Sequence, residues 1–104
     1  MVVIETFEGE KFNLEDVEEI WLVEIDNNDY SKNSDVKRYN KWIYTDEDFM
    51  DLLKEVENDI ICMPHRCRRL LVELNDGYYN RKEIKRFIVN GKSYSADTLL
   101  CGRL

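Results

Sequence analysis

Cys62, His65 and Cys67 stand within six positions of one another, and Cys101 adds a third thiol far along the chain. Thiolate and imidazole are zinc ligands. The Cys-x-x-His-x-Cys spacing, however, is not that of the common zinc knuckles, and a histidine between two cysteines in so short a span reaches a tetrahedral site awkwardly. These residues are read as reduced cysteines and a surface histidine, Cys62 packing as a small apolar side chain beside Ile60 and Ile61. No metal and no cofactor are expected. His65 is also the only histidine. A nucleophile–base pair would have to recruit Cys62 or Cys67, which lie too near it in sequence to present matched side chains. Gly91-Lys92-Ser93 ends like a phosphate-binding loop, but Arg86 occupies the place of the upstream glycine and a hairpin follows where a helix should. Carboxylates are plentiful, yet plenty on solvated faces says nothing of acid–base work. The residues point to no catalytic group, and the chain is expected not to be an enzyme.

What remains is charge. Glu15, Asp16, Glu18 and Glu19, then Asp46, Glu47, Asp48, Asp51 and Glu55, gather in the front half. His65, Arg66, Arg68, Arg69, Arg81, Lys82, Lys85 and Arg86 gather in the back half. Residues 1–60 hold 18 acidic and 6 basic side chains, a net of −12; residues 61–104 hold 4 and 9, a net of +5. The whole chain carries −7, which argues against direct nucleic-acid affinity, since phosphate binding needs surplus cation. An acidic face can imitate a phosphate row and occupy a basic channel, or it can simply be solvated and solubilising. The basic cluster can hold a phosphate-bearing ligand, or it can form cross-strand ion pairs with the acidic half. Tyr30, Tyr39 and Trp42 are candidate aromatic anchors for a protein partner.

The elements that must position these groups follow from patterning. Arg69–Tyr94 reads as an antiparallel meander, because Asp76-Gly77 and Asn90-Gly91 between apolar runs are strong hairpin signals. Val2–Phe7 reads as a strand, with Glu10-Lys11-Phe12 returning as a short partner after Gly9. Asn13 can cap a turn over Leu14–Val17. Ile20–Ile25 is apolar on both faces and reads as a central strand. Asp26–Lys41 is polar without visible period, so a loop is expected there, followed by a short strand Trp42–Tyr44. Phe49, Leu52, Leu53 and Val56 form one apolar stripe, predicting a helix over 46–58 capped by Thr45. Residues 95–104 read as a short tail with a last helical turn. A faint repeat aligns Phe12–Leu22 with Tyr79–Val89, the solvent positions inverted in sign. If real, it predicts two similar strand–turn–strand units.

The expectation is a single α+β domain over 1–104. An antiparallel sheet of about five strands would carry one amphipathic helix on one face. Its core would hold Ile4, Phe7, Ile20, Trp21, Leu22, Val23, Ile25, Phe49, Leu52, Leu53, Val56, Leu71, Val72, Phe87 and Val89. No apolar run is long enough to span a bilayer, the N-terminus has no secretion signal, and three cysteines fit a reducing cytoplasm.

In size, charge and want of a catalytic motif, the chain resembles small phage-encoded inhibitors of bacterial defence systems and immunity proteins that neutralise nuclease toxins. That resemblance implies a binding protein whose carboxylates meet the basic cleft of a nucleic-acid-handling enzyme. Two other readings stand beside it. The basic meander could sequester a small anion such as a signalling nucleotide. Alternatively, Leu99, Leu100 and Leu104 could pair two copies in a homodimer or assembly module.

Overall fold

A computed structural model describes residues 1–25, 33–39, 45–61, 68–75 and 80–100. The strands are β1 (Val2–Thr6), β2 (Lys11–Asn13), β3 (Val17–Ile25), β4 (Asn33–Tyr39), β5 (Arg68–Leu74), β6 (Arg81–Val89) and β7 (Lys92–Ser95). Between β2 and β3 lies a single 3₁₀ turn, Leu14–Asp16. The helices are α1 (Asp46–Ile61) and the short α2 (Ala96–Leu100). The expected α+β architecture is present, with seven strands among the described residues where about five are expected.

All pairings are antiparallel, in the order β2-β1-β6-β5-β3-β4. β6 is the hub. β1 runs along one edge of it, β5 pairs with residues 81–83, and β7 pairs with residues 86–89. The meander predicted over 69–94 is therefore β5-β6-β7. Asn90 and Gly91 take φ of 51° and 80°, the positive values a tight β6–β7 turn requires. The Asp76-Gly77 turn lies outside the described residues.

α1 packs its apolar stripe on one face of the sheet. Phe49, Leu52, Leu53 and Val56 are buried, and Ile60 continues the same face one turn on, which explains why α1 runs to residue 61 and not 58. The Phe49 and Phe87 rings meet at 5.3 Å and 59°, a tilted pair joining α1 to β6. Ile4, Ile20, Leu22, Leu70, Val72 and Ile84 complete this layer, and Ala96 and Leu99 of α2 close it. Leu99 is buried and Leu100 packs against the same core, so both serve the fold of their own chain; Leu104 lies outside the described residues.

Four expectations need correction. Phe7 is 52% exposed. β1 buries Val2, Ile4 and Thr6, so the alternation turns Phe7 to the opposite face just before the Gly9 turn (φ 86°). Trp21 and Leu71 are half-buried on the face away from α1, because they alternate with the inward Ile20, Leu22, Leu70 and Val72. The described part of the polar stretch 26–41 is strand β4, and it pairs with Ile20–Ile25. Among its described side chains the inward ones are Lys37 and Tyr39, and the sequence there lacks the apolar alternation by which strands are read. The side chain of Ile25 and the strand expected at Trp42–Tyr44 lie outside what is described. The repeat does not survive in detail: Leu14–Asp16 is a 3₁₀ turn, whereas its counterpart Arg81–Glu83 is strand.

Candidate functional site

Four cations of the basic cluster, Arg69, Arg81, Lys82 and Arg86, are met by acids of the sheet and its β1–β2 turn. Arg86 Nε lies 2.7 Å from Glu5 Oε2, and these residues sit directly opposite in the β1–β6 register. Lys82 reaches Glu10 and Glu8 on the β1–β2 turn. Each partner shifts the other: the bond from Lys82 holds the Glu10 carboxyl below the usual range, and the Glu10 bond raises Lys82. Arg69 faces Glu83 at 3.6 Å. Arg68 donates from Nη1 to the Ile60 carbonyl at 3.3 Å. Lys85 is exposed and has no partner among the described residues. His65 and Arg66, like Cys62, Cys67 and Cys101, lie outside the described residues.

Arg81 is the most engaged cation. Its Nε donates to Glu73 at 3.2 Å and its Nη1 to Asp35 on β4 at 3.0 Å. The guanidinium lies 4.2 Å from the Trp21 ring centre, and Arg38 approaches the same ring at 5.9 Å while pairing with Glu19. One side chain of β6 thus reaches across β5 and β3 to the edge strand. Trp21 Nε1 is buried at the centre of this group with no acceptor among the described residues.

On the helix face, β4 is fastened to α1. Lys37 Nζ donates to Glu55 at 3.0 Å and to Asp59 at 2.8 Å, and the Tyr39 hydroxyl donates to the same Asp59 oxygen at 2.7 Å. Tyr39 is 2% exposed, so it supports the sheet and is no free anchor for a partner; Tyr30 and Trp42 lie outside the described residues. Burial first, then the Asp59 bond, pushes the Tyr39 hydroxyl far above the ordinary phenol range. Asp59 and then Glu55 raise Lys37 in the same sense. Both groups keep their protons in the folded state where the unfolded chain loses them, from about pH 10 upward. Their stabilisation is therefore complete below that pH and fades above it. Stability should fall by about 1.4 kcal/mol per pH unit for Tyr39 alone. Tyr39→Phe should remove that part of the slope and cost about 1 kcal/mol near neutral pH. Urea midpoints at about pH 8 and about pH 11 check this; a slope unchanged in the variant would exclude Tyr39 as its source.

The acids divide into two groups. Glu19 and Glu55 are half-buried and paired with Arg38 and Lys37. Asp46 holds the Met1 ammonium at 2.9 Å. Asp48 accepts the Thr45 N–H and returns its own N–H to Thr45 Oγ1, both at 3.1 Å, a reciprocal cap that fixes the start of α1. Glu15, Glu18, Glu47 and Asp51 are exposed and have no cation partner among the described residues. Asp16 takes the Asn13 N–H at 3.3 Å and is otherwise exposed. The 3₁₀ turn that carries Glu15 and Asp16 is held to the end of β5, since Asn75 donates from its backbone to Asp16 O and from its side chain to Glu15 O, each at 3.0 Å.

These carboxylates adjoin. Glu15 and Asp16 line one surface hollow with Phe12 and Leu74. Glu15 and Asp46 line the next, and Asp46, Glu47 and Asp51 a third. Because Glu15 and Asp46 each belong to two hollows, the acids run as one edge from the 3₁₀ turn onto α1. The acids that neutralise the basic cluster, Glu5, Glu8, Glu10, Asp35, Glu73 and Glu83, escape a reading of the sequence. Long-range strand pairing and the β1–β2 turn bring them beside cations. Among the described residues no helix is long and apolar enough to cross a membrane. Compared with protein-family models, curated proteins and solved structures, the chain matches none.

Proposed function

We propose that this is a non-catalytic binding protein that inhibits a nucleic-acid-handling enzyme. It presents the carboxylate edge of the 3₁₀ turn and α1 to that enzyme's basic cleft. One observation carries the reading. Arg69, Arg81, Lys82 and Arg86 of the back half are met by acids of the sheet and its β1–β2 turn, while Glu15, Glu18, Glu47 and Asp51 are left without a cation among the described residues. Glu15, on the 3₁₀ turn, and Glu47 and Asp51, on α1, thus offer open negative charge in a chain whose net charge is −7. Such an edge steers a basic partner and repels nucleic acid. The capped helix and the turn pinned through Asn75 hold the carboxylates in place before binding, which lowers the ordering cost. Anti-defence inhibitors and nuclease-immunity proteins act in this manner, and the chain shares their size and charge. Sequestration of a small anion has less support, since Arg69, Arg81, Lys82 and Arg86 already face carboxylates.

Titrating the protein into a panel of nucleases and helicases acting on a labelled duplex tests the reading. Inhibition of at least one enzyme, weakening steeply as salt rises from about 0.05 to about 0.3 M, is expected. No inhibition across the panel, or inhibition indifferent to salt, would overturn it.

A further inference from the structure

Beside the acidic edge, α1 and the β6–β7 hairpin leave a groove of about 690 Å³ between them. Its floor is apolar, made by Met50 of α1, Val89 of β6 and Tyr94 of β7. Glu47 and Asp51 line it from α1, four residues apart and so on one side of the helix. Both are exposed and without a partner among the described residues.

The groove already handles cations. The Lys92 ammonium lies 5.2 Å from the centre of the Tyr94 ring. At the other end Asp46 receives the Met1 ammonium on both oxygens, at 3.1 and 2.9 Å, and Asn90 Oδ1 accepts from it at 3.0 Å. Two ammonium groups of this chain therefore sit on the groove's ring and end wall, while the two carboxylates over the floor stay open.

From this arrangement we infer that the groove seats an arginine side chain of the basic partner. The aliphatic stem lies on Met50 and Val89, the guanidinium stacks on Tyr94, and its N–H groups donate to Glu47 and Asp51. Arginine fits better than lysine, because only a planar fork can cover the ring and serve two carboxylates together. Lys54 and Lys92 stand on the rim, and Lys92, exposed, swings off the ring as the guanidinium arrives. The inference rests on the acidic-edge reading and names the group the partner must bring.

Fluorescence anisotropy with a labelled arginine-rich peptide at physiological salt provides the test, alongside lysine-rich and glutamate-rich peptides of equal length. The arginine peptide should bind tightest and the glutamate peptide not at all. Tyr94→Ala and Met50→Ala leave the charge untouched and should each weaken binding about tenfold, whereas Tyr94→Phe keeps the ring and should bind as the parent does. If Tyr94→Ala is destabilised, Met50→Ala carries the test. Arginine binding that ignores both floor substitutions would overturn the groove and leave the acidic edge standing, since bulk charge alone would then account for it. No binding by the folded parent would also overturn the groove, and the enzyme panel would still decide the edge by itself.

Discussion

Replacing Phe87 by alanine should cost about 3–5 kcal/mol, a large share of the stability of a domain this size. Phe87 is 1% exposed, lies at the hub strand β6, and meets Phe49 across the α1–sheet interface. Its register partners are Ile4 on β1 and Tyr94 on β7, so the cavity would open where three strands and the helix converge. Such a site cannot collapse without moving several elements at once, which places the cost in the upper part of the range. Urea unfolding measures it. The midpoint should drop with the slope unchanged, and a loss under about 1 kcal/mol would mean that the helix is not packed on β6 as described.

Arg81→Met is expected to cost about 3 kcal/mol, although it removes no apolar surface. Glu73 is only 10% exposed at its side chain and depends on Arg81 Nε for its neutralisation. Without Arg81 it is left as a buried, uncompensated carboxylate. The Asp35 bond lost at the same time matters little, since that side chain is 45% exposed. Adding Glu73→Gln to Arg81→Met should restore most of the stability, because the cost arises from the stranded charge and not from the missing pair. A double variant no better than the single would show that Arg81 acts through its contact with Trp21 instead.

Some of this is legible in the residues and some is not, for physical reasons. α1 declares itself because Phe49, Leu52, Leu53 and Val56 repeat at helical spacing behind a Thr45 cap. The β6–β7 turn declares itself because Asn90-Gly91 tolerates positive φ. Strand β4 hides because two of its inward side chains are Lys37 and Tyr39, satisfied by Glu55 and Asp59 on a helix farther along the chain. Phe7 misleads because an aromatic at a strand end reads as core, whereas the inward positions of β1 are Val2, Ile4 and Thr6. The nine acids of the candidate site can be named from composition, but which of them stay unpaired depends on register. Glu5 stands opposite Arg86 and Glu73 opposite Arg81 only because β6 lies where it does. Cross-strand neighbours are set by long-range pairing, and no local pattern encodes them.

On the proposed function, the position of the open carboxylates and not the total charge determines inhibition. Two triple variants separate these. Glu15→Gln, Glu47→Gln and Asp51→Asn neutralise the open edge; Glu5→Gln, Asp35→Asn and Glu83→Gln neutralise acids already paired with arginines. Each set changes the net charge from −7 to −4. Measured as inhibition of a susceptible nucleic-acid enzyme, the edge variant should lose at least about tenfold in potency while the paired variant, checked for folding, keeps it. Equal losses in both would mean that total charge, and not the open edge, governs inhibition.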